Sequence, residues 1–294
     1  MQDILVVNNL VKQFRQVRAV DGVSFSLSEG ICFGLLGPNG AGKTTTIEIM
    51  EGILAPDSGS ILYRGRPIDD EFKKRAGIQF QNTSLPDYLT VAETIRLFQA
   101  FYPDPRPFDE IVEICSLSDI LTRDNKKLSG GQRQRLLLAI AIVPQPDIVF
   151  LDEPTTGLDP QARRNFWDLI RRIQSEGATI VLTTHYMDEA HLLCDQIAIM
   201  DHGRILEIDA PQALLDRHFD GVLVRIPLHD PQSIDFPLPE GAAIRHGALE
   251  LTSTRLDETV RNLLTVGLSL DGLSVHKPTL EDLFIKLTGN TLRA

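Results

Sequence analysis

ICFGLLGPNGAGKTTTIEIM, Ile31 to Met50, decides the fold. Ile31 to Leu36 is an apolar run of strand length, and Thr45 to Met50 continues as a helix. Between them GPNGAGKTT, Gly37 to Thr45, satisfies G-x-x-x-x-G-K-[ST], with Gly37, Gly42, Lys43 and Thr44 at the fixed places. Glycines let successive backbone N–H groups turn toward one anion without a Cβ in the way. The backbone of Gly37, Pro38, Asn39, Gly40, Ala41, Gly42, Lys43, Thr44 and Thr45 therefore forms a candidate phosphate cradle. The helix starting near Lys43 presents its positive end to the same place. Lys43 can set a point charge on the β- and γ-phosphates of a nucleotide, and the Thr44 hydroxyl can ligate Mg²⁺.

Downstream, LSGGQ (Leu128 to Gln132) reads as a second anion-binding helix start. Ser129 is at the cap, Gly130 and Gly131 expose N–H groups, and Gln132 closes the motif. IVFLDEP (Ile148 to Pro154) is a buried strand that delivers Asp152 and Glu153 at its C-terminal edge, where parallel sheets bind ligands. Asp152 suits Mg²⁺, and Glu153 suits a base that orients an attacking water. His185 ends the next strand-like run and is a candidate γ-phosphate contact. Gln81 alone reads as a surface amide. Phe14 alone reads as core or as an exposed aromatic on which an adenine could stack.

The 294 residues are enough for a sizeable core and two domains, and 43% hydrophobic content is that of an ordinary globular chain. The strongest apolar run, Leu136 to Val143, stops at Pro144 and is too short to span a bilayer. MQDILVVNNL lacks the basic start and apolar core of a signal peptide. The expectation is a chain that is cytosolic or peripheral to a membrane, without a pore of its own. A net charge of −11 argues against broad nucleic-acid binding. Cys32, Cys115 and Cys194 show no metal or redox spacing and read as small buried hydrophobes.

Strand-like runs with turns at Asp21-Gly22 and Glu29-Gly30 predict an antiparallel edge before the nucleotide strand, and Gly59 to Gly65 a hairpin strand. Helical periodicity over Val91 to Phe101 and Phe108 to Cys115, broken by prolines, predicts a helical insert at residues 86 to 127, within a helical subdomain reaching about residue 145. Strand–helix alternation from Ser129 predicts a parallel sheet with right-handed crossovers, ending near residue 216. Residues 221 to 294 read as a small α+β domain. One of its helices carries Val260, Leu263 and Leu264 on one face, and its last helix is capped by Thr279 with Asp282 and stopped at Gly289.

The order Phe14, GPNGAGKTT, Gln81, LSGGQ, FLDEP, Gly157-Leu158-Asp159 and His185 resembles the nucleotide-binding subunit of an ABC transporter, over residues 2 to 215. The pentapeptide LSGGQ separates that family from other phosphate-loop proteins. The resemblance implies a P-loop NTPase core of α/β class with an antiparallel β subdomain, the helical insert and the C-terminal α+β domain. It implies ATP and Mg²⁺ as cofactors and a head-to-tail dimer of identical or closely related subunits. Each ATP lies on one subunit's phosphate loop and is closed by the other's Ser129 region. Phe14 then stacks the adenine, Gln81 reaches Mg²⁺ and senses the membrane partner, Asp159 communicates across the dimer, and His185 clamps the γ-phosphate. The family more often has Tyr where this chain has Phe14, which keeps the stacking face. Thr183 to Ile205 and PTLEDLFIKLTG (Pro278 to Gly289) resemble the ABC-2 type group, whose members export drugs, antibiotics, lipids or polysaccharides.

These features predict an ATP-hydrolysing motor on the cytoplasmic face of the plasma membrane, driving a separate integral-membrane permease. A soluble ABC ATPase acting on ribosomes or DNA is the alternative. It is disfavoured by the single cassette, the short interval from Thr45 to Leu128 and the acidic balance. A non-hydrolysing cassette is disfavoured by the intact Lys43, Asp152, Glu153 and His185.

Overall fold

Two long strands, β1 (Asp3–Phe14) and β2 (Val17–Ser28), pair as an antiparallel hairpin at the start of the chain. The structure is a computed structural model and describes residues 3–80, 83–228, 242–245 and 247–289. Along β2 the residues Val23, Phe25 and Leu27 are buried in alternation, the period that a half-covered strand requires. The turn expected at Asp21-Gly22 does not occur. Both residues lie inside β2, where Gly22 takes φ 75° and the register against β1 shifts between Leu10 and Val11. Gly22 supplies the left-handed conformation of a bulge, which from sequence alone looks like a turn. The chain reverses instead between Phe14 and Val17. β4 (Ser58–Tyr63) and β5 (Arg66–Pro67) complete a sheet of order β2-β1-β4-β5.

The central sheet has the order β10-β9-β3-β8-β7-β6. Its parallel strands are β3 (Cys32–Leu36), β6 (Ala76–Gln79), β7 (Ile148–Asp152), β8 (Thr179–Thr184) and β9 (Gln196–Asp201), and β10 (Arg204–Asp209) runs antiparallel at the edge. Every residue of β3, β7 and β8 is buried, as expected for strands covered on both faces. The crossovers carry α1 (Lys43–Met50), α2 (Asp70–Arg75), α3 (Val91–Gln99), α4 (Phe108–Ile114), α5 (Gly130–Ala141), α6 (Pro160–Ser175) and α7 (Met187–Leu193). α2 spans only six residues and the edge strand β10 buries none of its six, so neither leaves a strong apolar pattern in the sequence. One core joins the two sheets: Phe25 stacks on Phe33 with centroids 4.9 Å apart, and Phe72 meets Phe150 edge-on at 6.4 Å. All three cysteines are buried and free, with the Cys32 and Cys194 sulfurs 3.9 Å apart.

The chain divides into two compact units, Met1–Pro211 and Gln212–Asn290, with α8 (Pro211–His218) starting at the division. The second unit is α+β. Its antiparallel sheet of β11 (Val222–Pro227), β12 (Ala243–Arg245), β13 (Ala248–Ser253) and β14 (Ser274–His276) has the order β12-β13-β11-β14. α9 (Leu256–Thr265) packs Leu263 onto Val224, Ile226, Leu249 and Leu251. Leu264, expected on the same face, is 55% exposed, because a sheet this small covers only a narrow stripe of the helix. α10 (Leu280–Thr288) has the expected Thr279–Asp282 capping box and a left-handed Gly289. The proline-rich loop expected after β11 lies outside the described residues. Among the described residues no helix is long and apolar enough to cross a membrane.

Candidate functional site

The phosphate loop leaves β3 at Leu36 and enters α1 at Lys43. Two of its glycines are fixed by close approach. A Cβ on Gly37 would lie 2.3 Å from the Met200 carbonyl oxygen. A Cβ on Gly42 would lie 2.1 Å from that of Ala19, and Gly42 also takes φ 102° as the cap of α1. The loop is therefore wedged between β9 and β2. Ala41 N–H donates to Pro38 O at 3.1 Å, while Asn39, Gly40 and Thr44 are exposed. Lys43 is buried and curls over the loop, its Nζ donating to the carbonyls of Gly37 (2.9 Å) and Pro38 (3.2 Å). Burial lowers the Lys43 pKa from its ordinary value, and the Glu153 and Asp152 carboxylates oppose that shift. Both acids thus act on the phosphate-loop lysine.

Asp152 ends β7 and is buried. Burial raises its pKa, with Glu153 adding to the effect, while the Thr183 hydrogen bond and Lys43 oppose it. Glu153 follows in the left-handed region at φ 46°, a conformation that costs a side-chain-bearing residue about 1–2 kcal/mol. In a continuing strand these two neighbours would face opposite ways. The kink lets both acids serve one site. Thr183, which pairs with Asp152 on β8, holds the kink. Its hydroxyl donates to Asp152 Oδ1, and Glu153 N–H donates to both its Oγ1 (3.0 Å) and its carbonyl oxygen (3.2 Å). His185, just past β8, places Nδ1 3.4 Å from Glu153 Oε1. Thr183 was not singled out in the sequence. Its signal in the sequence is weak: a hydroxyl in a fully buried strand directly opposite the paired acids.

LSGGQ starts α5 with a capping box. Gln132 N–H donates to Ser129 Oγ at 3.3 Å, and Ser129 N–H donates to Gln132 Oε1 at 3.0 Å. Ser129 and Gly130 are exposed, while Gly131 comes close to Ala162 of α6. Asp159 caps α6 through the N–H groups of Gln161 (3.0 Å) and Ala162 (2.9 Å). Among the described residues no hydrogen bond or ion pair joins Leu128–Gln132 to Gly37–Thr45. Phe14 is 46% exposed at the tip of the β1–β2 hairpin, five residues before Ala19, which touches the loop. Gln81 lies outside the described residues. The structure thus brings Lys43, Asp152, Glu153 and His185 together and leaves LSGGQ in a separate cluster with Asp159.

A parallel sheet whose strand edge carries a glycine cradle, a buried lysine and paired acids defines a P-loop nucleotide-hydrolysing domain. Residues 20–156 match the ABC transporter family. The Nod factor export ATP-binding protein I of Burkholderia lata is 36% identical, with 97% of this chain and 97% of that protein covered. The protein of the same name from Ralstonia nicotianae is also 36% identical, with coverage of 99% and 95%. Among solved structures, cbiO1 from Clostridium perfringens, part of the ABC transporter complex cbiONQ, aligns with a TM-score of 0.67 at 29% identity, covering 74% of this chain and 92% of that one. The chain belongs to the ABC transporter family, as an ATP-binding and ATP-hydrolysing subunit.

Proposed function

We propose that this chain powers an ABC-2 type exporter, working as a dimer with Mg²⁺ and a separate membrane permease from the cytoplasmic face of the membrane. The convergence of Lys43, Asp152, Glu153 and His185 on the edge of β3, β7 and β8 carries the hydrolytic part of this reading. Export is supported by relatives that share nearly the whole chain and are named for it, and these also disfavour a role on ribosomes or DNA. By the same analogy the cargo class is that of drugs, antibiotics, lipids or polysaccharides.

In this reading Phe14 stacks the adenine and the loop amides of Gly37 to Thr45 hold the phosphates. The Lys43 ammonium sits on the β- and γ-phosphates. The Thr44 hydroxyl and the Asp152 carboxylate form a hard oxygen donor set that fits Mg²⁺, with Gln81 as a further ligand. That ion supplies neutralisation of the charge shared by the β- and γ-oxygens. Glu153 Oε1 orients water in line with the γ-phosphorus and takes its proton. His185, 3.4 Å from Glu153, holds the γ-phosphate on the other side. The exposed Ser129 and Gly130, separated from the cradle in their own subunit, close over a partner's ATP, and Asp159 faces the same junction.

Glu153→Gln tests the core of this reading. It should bind ATP with near wild-type affinity and lose roughly 10²-fold or more in hydrolysis. Hydrolysis at the wild-type rate would remove Glu153 from its role.

A further inference from the structure

Glu189, on α7 four residues beyond His185, is completely buried. Its Oε1 accepts the Thr155 hydroxyl and the Trp167 indole N–H, both at 2.8 Å. Its Oε2 is buried with no partner at hydrogen-bond distance among the described residues, the Thr184 hydroxyl being its polar neighbour. Burial raises its pKa, and the nearby Thr184 hydroxyl, Trp167, Thr155 and the Arg163 charge oppose this. A carboxyl in such a place is expensive, and an apolar side chain of similar volume would fill the space at lower cost. Packing alone does not call for it.

What it touches explains its presence. Thr155, itself buried, is the second residue after Glu153 and opens the turn to Asp159. Trp167 is on α6, one helical turn after Arg163, whose guanidinium lies 3.8 Å from the centroid of the Tyr186 ring. Tyr186 in turn packs on the His185 ring, with centroids 4.2 Å apart. Glu153 and His185 meet at 3.4 Å, yet they are carried by two different loops. The Thr155–Glu189 bond joins the chain just after one to the helix just after the other.

We infer that Glu189 is a positioning residue that ties the loop of Glu153, through Thr155, to the helix behind His185, and so fixes the distance between base and γ-phosphate clamp. This rests on the catalytic reading above. A misplacement of about 1 Å at such a pair can cost up to 10²-fold in rate while leaving the phosphate cradle intact.

The test is steady-state ATP hydrolysis by the full chain with Mg²⁺, well below the melting temperature of every variant. Glu189→Leu and Thr155→Val should each lower kcat about tenfold or more and leave KM for ATP within about threefold. Glu189→Gln, which keeps an acceptor for both donors, should restore most of kcat. The double variant Thr155→Val/Glu189→Leu should be no slower than Glu189→Leu, because Glu189→Leu has already removed the bond that Thr155→Val removes. Multiplied effects in the double variant, a wild-type kcat in Glu189→Leu, or no recovery in Glu189→Gln would overturn the inference. If Glu189→Leu does not fold, Thr155→Val against Thr155→Ser decides: Thr155→Ser keeps the hydroxyl and should hold most of kcat, and a wild-type kcat in Thr155→Val, or equal loss in both, overturns the inference. Glu153→Gln in parallel separates the failures: if it is active the catalytic reading falls, and if it is inactive while Glu189→Leu keeps full kcat, only the positioning role falls.

Discussion

Glu51 sits buried at the end of α1, and its pKa is pushed up from 4.5 to about 8, first by burial and then by the charges of Asp152 and Glu48. Between those two values the folded chain holds a proton that the unfolded chain has released, so stability falls as pH rises through that window and levels off above about 8. Glu51→Gln removes the cost. It should stabilise the protein by on the order of 3 kcal/mol at pH 8, less at pH 6, and flatten the pH dependence. Urea unfolding across pH 5 to 9 measures this, and an unchanged slope would contradict it. Glu51, Thr183 and Glu189 share a property: each is an ordinary polar letter in the sequence. Their roles come from enclosure or from partners in other elements, 30 residues away for Thr183 and Glu153, 34 for Glu189 and Thr155, and neither leaves a local pattern. Lys43, Asp152, Glu153 and His185 were legible because each sits at a fixed place beside a strand end.

Elements were legible where length and periodicity agreed. β3 with α1, α3, α5, β7, α6 and β8 follow the apolar runs, and α10 begins at its capping box. The misreadings have a common cause: a local signal with two structural solutions. Gly22 marks a bulge and not a turn, and Leu264 points away from a sheet too narrow to reach it. Two predictions belong here. Gly42→Ala places a methyl 2.1 Å from the Ala19 oxygen in a left-handed backbone. It should cost about 2 kcal/mol or more and weaken ATP binding at least tenfold, read by melting and by nucleotide titration. Thr279→Ala removes the α10 cap and should cost about 1 kcal/mol in the unfolding of the second unit, with ATP affinity unchanged.

At the scale of the whole molecule, the two nucleotide motifs lie in separate clusters of one subunit, and the proposed dimer is what joins them. Ser129→Arg and Lys43→Ala subunits should each be inactive alone. Mixed, they form some dimers with one intact composite site, and the mixture should regain measurable hydrolysis. A mixture as inactive as its components at every ratio would argue against sharing across the interface. The net charge of −11 per chain sets a further condition: association is opposed by like-charge repulsion, so regain should rise with moderate salt.

The sequence by itself determined the class of the protein, the phosphate cradle and the identity of its charged groups. Those depend on residue type at short spacing, where backbone geometry leaves little choice. Only the tertiary structure decided how the site is held. Thr183 bridges consecutive acids through a left-handed kink, the cradle is wedged against Ala19 and Met200, and Glu189 binds the chain after Glu153 to the helix after His185. Each of these is a contact between segments far apart in the chain, formed when the sheet closes and water is excluded. Their energies belong to the enclosure and not to any local stretch of sequence.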